Sequence, residues 1–265
     1  MAHWRKLHLP DPRSAAKALC GAVGVDVRRL PGPDVEQYVR LFGEAAVRER
    51  RFYNVGAGGF SHPCWTNVDY GSDWYGPVQS NFVQYDLLGT DPLPVADGTA
   101  EIVYSSHSIE HIPEDAAQRL FNEAYRVLRP GGYVRLTCPD SDLSLAALRR
   151  DDEDFFYWDR SGTPIEHKWL DHGATSLVAQ MSPADVRELI DDEQALKGLG
   201  GRYNYERPGD HVSRWNPEKL IAALGEAGFK AYRSGFGQSA CPVLRNTRYF
   251  DNTHPAMSLY IEAVR

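Results

Sequence analysis

Cysteine is scarce in this sequence, and no two cysteines lie near each other. Cys20, Cys64, Cys138 and Cys241 are widely spaced and form no C-x-x-C pair. That argues against a disulfide framework and reads as free thiols in a reducing compartment. Long apolar runs are missing too: no stretch approaches the ~18 residues that span a bilayer. The opening Met1-Ala-His-Trp-Arg-Lys6 has no apolar core of the kind that marks a secretory signal. A cytoplasmic protein with no membrane span is the expectation. Internal repeats and low-complexity segments are also absent. With 265 residues, 42% hydrophobic and 25% charged, the composition excludes wholesale disorder, and the length fits one domain with an insertion better than two domains.

Positive charge is in deficit and unevenly placed. The net charge is −7, but residues 1–51 hold ten Lys/Arg against six Asp/Glu (+4), leaving 19 against 30 (−11) for the rest. An acidic body argues against long contact with nucleic-acid phosphates. The basic start reads as a solvated helical face rather than a surface for a membrane or an acidic partner.

Against these absences stands Phe52-Tyr-Asn-Val-Gly-Ala-Gly-Gly59, a short β-type run that breaks into glycines at 56, 58 and 59. Glycine permits a sharp turn and lets backbone N–H groups approach a ligand closely. Two later strand-like runs end in carboxylates, Asp69 and Asp86. A glycine turn under a polar tail, followed by acids at successive strand ends, is how a doubly wound sheet grips an adenosine ligand.

Residues 1–50 read as a helical preface, with helical composition over Ser14–Ala22 and Val35–Arg50 around a Pro31-Gly-Pro33 break. Strands are predicted at Phe52–Val55, Thr66–Asp69, Asn81–Tyr85, Glu101–Ser105 and Tyr133–Cys138. An amphipathic helix from Pro113 to Leu128 is predicted to end at Pro130-Gly131-Gly132. Alternation of this kind implies a mostly parallel sheet. It breaks over about 141–200, which holds helical patterns at Leu143–Arg150 and Pro183–Leu189 around Phe155–Trp158 and reads as a helical lid inserted over one end of the sheet. Asn216-Pro217 then starts a helix as N-cap and N1, and Phe229–Arg233 and Ser258–Val264 close the sheet.

With these residues in view, the chain resembles a class I S-adenosylmethionine-dependent methyltransferase, strongly over 51–140 and moderately over 211–265. The resemblance implies an α/β fold: a doubly wound, seven-strand Rossmann-like sheet with the preface at 1–50 and the methyltransferase domain at 51–265. It implies S-adenosylmethionine as cofactor, held by Asn54, Gly56, Ala57, Gly58 and Gly59 at the turn. Asp69 and Tyr70 follow for the ribose, Asp86 and Leu87 for the adenine, and Ser105 at the end of the fourth strand. Glu123-Ala-Tyr-Arg-Val-Leu-Arg-Pro-Gly-Gly132 is similar to the family's most recognisable string. The phrases Ser105-Ser-His-Ser-Ile-Glu-His111, Cys138-Pro-Asp140 and Asp251 to Glu262 are similar to small bacterial methyltransferases of surface-polysaccharide and specialised-metabolite pathways.

Two features depart from the family. Asn54 stands where an acid usually contacts the methionine amine. The six residues between Gly59 and Thr66 are too few for the usual helix after the turn, so turn N–H groups must hold the methionine carboxylate largely without a helix dipole.

Methyl transfer from a sulfonium is an in-line displacement in which the protein aligns the acceptor and removes its proton. A histidine suits that base role at neutral pH. His107 is the expected base and His111 the second choice, with Glu110 between them to orient either ring; a plain backbone-bonding role for His111 and Glu110 stands beside this. Asp140 and Asp142 read as turn caps or as contacts to substrate or a magnesium ion. His211, Arg214 and Trp215 read as pocket lining or a structural corner. Nothing legible requires a metal. The expected reaction is methylation of a small-molecule hydroxyl, on a sugar or glycosylated metabolite, with amine N-methylation as the alternative. Two rivals come from other classes. One is a zinc peptidase on the inverted pattern His107-x-x-Glu110-His111, which Pro113 leaves almost no helix to support. The other is a cofactor-binding protein without turnover, suggested by Asn54. The preface is long enough to exchange between the subunits of a homodimer or to cover the active site.

Overall fold

The computed structural model describes residues 33–71, 81–150, 152, 209 and 211–265. The predicted helices at 14–22 and 183–189, the aromatic run 155–158 and Cys20 lie outside them. The strands are β1 (Phe52–Val55), β2 (Trp65–Asp69), β3 (Phe82–Gln84), β4 (Ala100–Ser106), β5 (Leu128–Pro139), β6 (Lys230–Arg233) and β7 (Ser258–Val264). They form one sheet in the order β3-β2-β1-β4-β5-β7-β6. β1 to β5 run parallel, and β7 is inserted antiparallel between β5 and β6. The chain reverses its direction of travel across the sheet between β1 and β4, and in open α/β sheets a ligand crevice lies at that switch point.

Four helices are described: α1 (Pro33–Arg48), α2 (Glu114–Val127), α3 (Ser141–Arg149) and α4 (Pro217–Glu226). In α2 the buried residues Ala116, Ala117, Leu120, Phe121, Ala124 and Val127 recur every three or four positions and form one packed face. α4 starts as its sequence predicts, with Asn216 Oδ1 accepting from the Lys219 N–H at 2.9 Å and Pro217 at N1.

Alternation along the strands divides the core in two. Val55, Val68, Val103 and Leu136 face α2 and α4. Phe52, Trp65, Ile102 and Tyr104 face the other way, packed with Tyr38 and Ala46 of α1, with Val243 and Leu244 of the 3-10 turn Pro242–Arg245, and with Phe250. No helix forms in residues 56–64, as their number predicts. α1 covers that face instead, pinned where Trp65 Nε1 donates to the Tyr38 hydroxyl at 2.7 Å inside the core.

Two boundaries differ from expectation. α1 begins and ends two residues earlier than predicted and is broken at Gly43, whose φ of 84° is not helical. α2 runs straight into β5: Leu128 leaves the helix in extended geometry and pairs with Ala100. Pro130-Gly131-Gly132 therefore lies inside the strand segment rather than ending the helix. A register shift between Ala100 and Ile102 absorbs the glycines there. Cys64, Cys138 and Cys241 are buried and unpaired. Among the described residues no helix is long and apolar enough to cross a membrane.

Candidate functional site

The glycine turn leaves β1 with Gly56 at φ 67° and Gly58 at φ 50°, backbone that glycine adopts without cost. The Gly56 N–H donates to Val68 O at 2.9 Å, seating the turn on the end of β2. Asp69, the last residue of β2, accepts from the Gly58 N–H through Oδ2 and from the Tyr70 N–H through Oδ1, each at 2.7 Å. Burial pushes its carboxyl above the usual range, and the N–H groups of Gly58, Tyr70 and Ala57 offset part of that. A carboxylate has about four acceptor positions, so Asp69 keeps capacity for a pair of hydroxyls. Among the described residues, a Cβ added at Gly58 or Gly59 would meet nothing within 4 Å. The turn thus presents open backbone, as a close ligand approach requires.

The Tyr85 N–H donates to Asp69 O at 2.9 Å and sets the exits of β2 and β3 side by side. Asp86 is exposed there and ties its own turn through Leu88 N–H to Oδ1 at 2.9 Å, while Leu87 is half-buried against the core. Tyr70 is exposed beside Asp69. The two remaining expected cofactor residues do not converge. Asn54 pairs in register with Tyr104 and so shares its face of the sheet, whereas Ser105, one residue on, points to the opposite face. Both are buried, and Asn54 Oδ1 and Ser105 Oγ have no hydrogen-bond partner.

β4 ends at a cluster of histidines. His107, at φ 50°, places Nε2 2.7 Å from Ser258 Oγ and Nδ1 3.3 Å from Glu110 Oε1. Ser258 also lies 3.0 Å from Thr253 O and 2.9 Å from His254 O, and the His254 ring packs against that of His107. Glu110 sits in the 3-10 turn Ile109–His111 and is 2% exposed. Neither of its oxygens has a partner in hydrogen-bond geometry. Burial pushes the Glu110 carboxyl up, but the His107 ring nitrogen and the positive potential of His107, His111 and His211 outweigh it and hold it below the usual range.

His211 comes from a distant part of the sequence. The N–H groups of Val212 and Ser213 donate to Glu110 O at 2.7 and 3.1 Å, and Ser213 Oγ donates to Ile109 O at 2.9 Å. Trp215 is buried beneath, its Nε1 donating to Ser213 Oγ. Segment 211–215 is therefore both of the things the sequence left open: a structural corner at Trp215 and, at His211, a ring 4.8 Å from that of His111. Asp140 caps α3, its Oδ1 accepting from the Asp142 N–H at 3.0 Å, and Asp142 accepts from Asn216 Nδ2. Asp140 serves its turn, and Asp142 ties the start of α3 to the start of α4.

The inverted zinc-peptidase arrangement is not formed. Its first histidine, His107, points Nε2 at Ser258, and the turn that carries Glu110 and His111 is only three residues long. The potential ligand atoms that do converge belong to Glu110, His111 and His211.

Residues 67–136 match the family model "Methyltransferase domain". No curated protein matches the chain. Similar solved structures include an S-adenosylmethionine-dependent methyltransferase from Mesorhizobium loti, 17% identical, covering 81% of this chain and 90% of that one, with a TM-score of 0.41. A second, from Archaeoglobus fulgidus, is 15% identical over 96% of this chain and 100% of that one, with a TM-score of 0.42. Human N-acetylserotonin methyltransferase in complex with SAM is 11% identical over 87% of this chain and 53% of that one, with a TM-score of 0.37. The family span runs from β2 into β5 and takes in both strand-end acids, and over those residues the chain is similar to a methyltransferase domain.

Proposed function

We propose that this enzyme methylates a hydroxyl of a small molecule, a sugar or glycosylated metabolite, in the cytoplasm, with His107 as general base. The observation that carries the reading is the Glu110–His107–Ser258 chain at the exit of β4. With Nδ1–H toward Glu110, the neutral ring keeps its Nε2 lone pair on the Ser258 side. The Ser258 hydroxyl has two backbone carbonyls within reach as other acceptors. It can turn to either and release Nε2 to an incoming hydroxyl. His111, half-buried on the far side of Glu110, is the second base.

The cofactor supplies an activated methyl group and its leaving group. The chain supplies the grip: turn N–H groups for the methionine carboxylate, Asp69 for the ribose hydroxyls, Asp86 and Leu87 for the adenine. The unpartnered Asn54 Oδ1 is a neutral acceptor where the family has an acid, and Ser105 Oγ is a second buried polar group at the strand ends. The acidic body disfavours a nucleic-acid acceptor, and the unpaired thiols suit a reducing compartment. Domain limits of 1–50 and 51–265, with the lid at about 141–200, belong to the same reading. Exchange of the preface in a homodimer would have to use residues ahead of α1, because α1 is packed on its own sheet.

The test is His107→Gln, with release of S-adenosylhomocysteine followed over a panel of sugars and glycosylated metabolites. A loss of roughly 10²–10⁴ in rate, with S-adenosylhomocysteine affinity within twofold of wild type, is the expected result. An unchanged rate removes His107 from the chemistry.

A further inference from the structure

We infer that Glu110, His111 and His211 form a binding site for one divalent transition-metal ion of the zinc class, at the acceptor side of the cofactor crevice. One ligand atom from each of the three lies within 4.8 Å of the others. His111 Nε2 is 3.9 Å from Glu110 Oε1. A tetrahedral zinc at about 2.0–2.1 Å from each ligand holds them about 3.3 Å apart, so modest side-chain rotation closes the set.

The second observation is the state of Glu110. Its carboxylate is almost wholly buried; His107 Nδ1 lies 3.3 Å from Oε1 outside good hydrogen-bond geometry, and neither oxygen has a well-formed hydrogen bond. A buried charge so weakly partnered is expensive unless a cation meets it. The fold also commits backbone to the arrangement: the N–H groups of Val212 and Ser213, directly after His211, bond to the Glu110 carbonyl, which brings the third ligand across about a hundred residues of sequence. Two imidazoles with one carboxylate suit zinc, iron or cobalt, whereas magnesium prefers oxygen donors. Three protein ligands leave a position open for an outside oxygen. His107, held on Ser258, is not a ligand; it braces the carboxylate from the side, as outer-sphere partners do. On the hydroxyl-methylation reading, the open position takes the acceptor oxygen and lowers its pKa, and His111, as a ligand, leaves the base role to His107 alone. The binding itself does not depend on that reading.

The full chain, stripped with chelator, is titrated with Co²⁺ by visible absorption and with Zn²⁺ by calorimetry, and separately with S-adenosylhomocysteine. We expect one equivalent of either metal. His211→Ala and His111→Ala should each weaken it at least tenfold and leave S-adenosylhomocysteine affinity within twofold. If His211→Ala misfolds, His211→Asn gives the same readout. Saturable zinc binding of wild-type affinity in the His111→Ala/His211→Ala double variant would overturn the site. So would a wild-type chain that binds S-adenosylhomocysteine but no zinc. Absence of S-adenosylhomocysteine binding with metal binding intact would count against the methyltransferase site alone.

Discussion

Ser108 Oγ donates to the carbonyl of Gly56 at 2.9 Å, tying the exit of β4 to the glycine turn of β1. A Cβ on Gly56 would overlap that same hydroxyl oxygen. The glycine is thus required by a side chain 52 residues away as well as by its own positive φ.

Gly56→Ala should therefore cost about 2–4 kcal/mol, combining left-handed strain and overpacking, and should weaken S-adenosylhomocysteine binding more than tenfold. Gly56→Ala/Ser108→Gly should recover the overpacking share but not the φ share. Urea denaturation with calorimetric titration measures both. Equal stability of Gly56→Ala and wild type would contradict this packing.

Asp69→Ala removes the acceptor for two turn N–H groups together with the proposed ligand for the ribose. S-adenosylhomocysteine binding should fall by at least 100-fold, and amide exchange at Gly58 and Tyr70 should quicken. Asp69→Asn keeps one acceptor oxygen and should lie between. Exchange that stays slow in Asp69→Ala would show that the carboxylate does not hold the turn.

His62 carries the clearest pH signature away from the site. Burial among aromatic rings lowers its pKa to about 4, and the Cys64 N–H donates to Nδ1, fixing the neutral tautomer. The folded pKa is depressed below the unfolded value of about 6.5, so the unfolded state takes up the proton first. The stabilisation is complete above pH ~6.5 and is lost as pH falls from there to about 4, by about 3 kcal/mol in total. His62→Asn should flatten the stability curve across that window, as measured by denaturation at successive pH values. A curve as steep as wild type would exonerate His62.

Arg135 is fully buried between Asp251, at 2.6 Å, and Glu262, at 2.9 Å, and the Asp251 N–H donates to the Tyr104 hydroxyl. Asp251→Ala leaves a buried arginine short of one partner and should cost about 3–5 kcal/mol. Tyr104→Phe orphans one buried N–H and should cost about 1–3 kcal/mol. Asp251 bonds Arg135 and Tyr104 rather than a cofactor residue, so S-adenosylhomocysteine affinity of the folded Asp251→Ala protein should hold. A drop in Tm below that of Asp251→Ala for Tyr104→Phe would reverse this ranking.

The first three strands were legible because of local signals, glycines after β1, an acid at the end of β2 and another after β3, and α2 because its periodicity is strong. The boundary of α2 was not, because Leu128 turns extended through its pairing with Ala100, a tertiary contact that overrides the glycine signal. His211 was visible only as a residue near a helix start, since what joins it to Glu110 is two backbone bonds spanning a hundred residues. Asn54 and Ser105 belong to the same expected cofactor set, but sheet alternation sends them to opposite faces. Ser108 and Ser258 carried no signal, being short polar residues beside louder neighbours. The physical content of the tail phrase from Asp251 to Glu262 is the pair of acids around Arg135.

The face under α1 is assembled from Tyr38, Phe52, Trp65, Tyr104, Cys241 and Phe250, which span more than two hundred positions. During synthesis on the ribosome, Phe52 and Trp65 emerge long before Phe250 exists to cover them. Through that interval an aromatic surface stands open to solvent and to other nascent chains, a span of exposure in which folding helpers bind and aggregation begins. The short link after Gly59, by leaving that face to α1 and to residues 241–250, makes a later-made segment the seal on an earlier one.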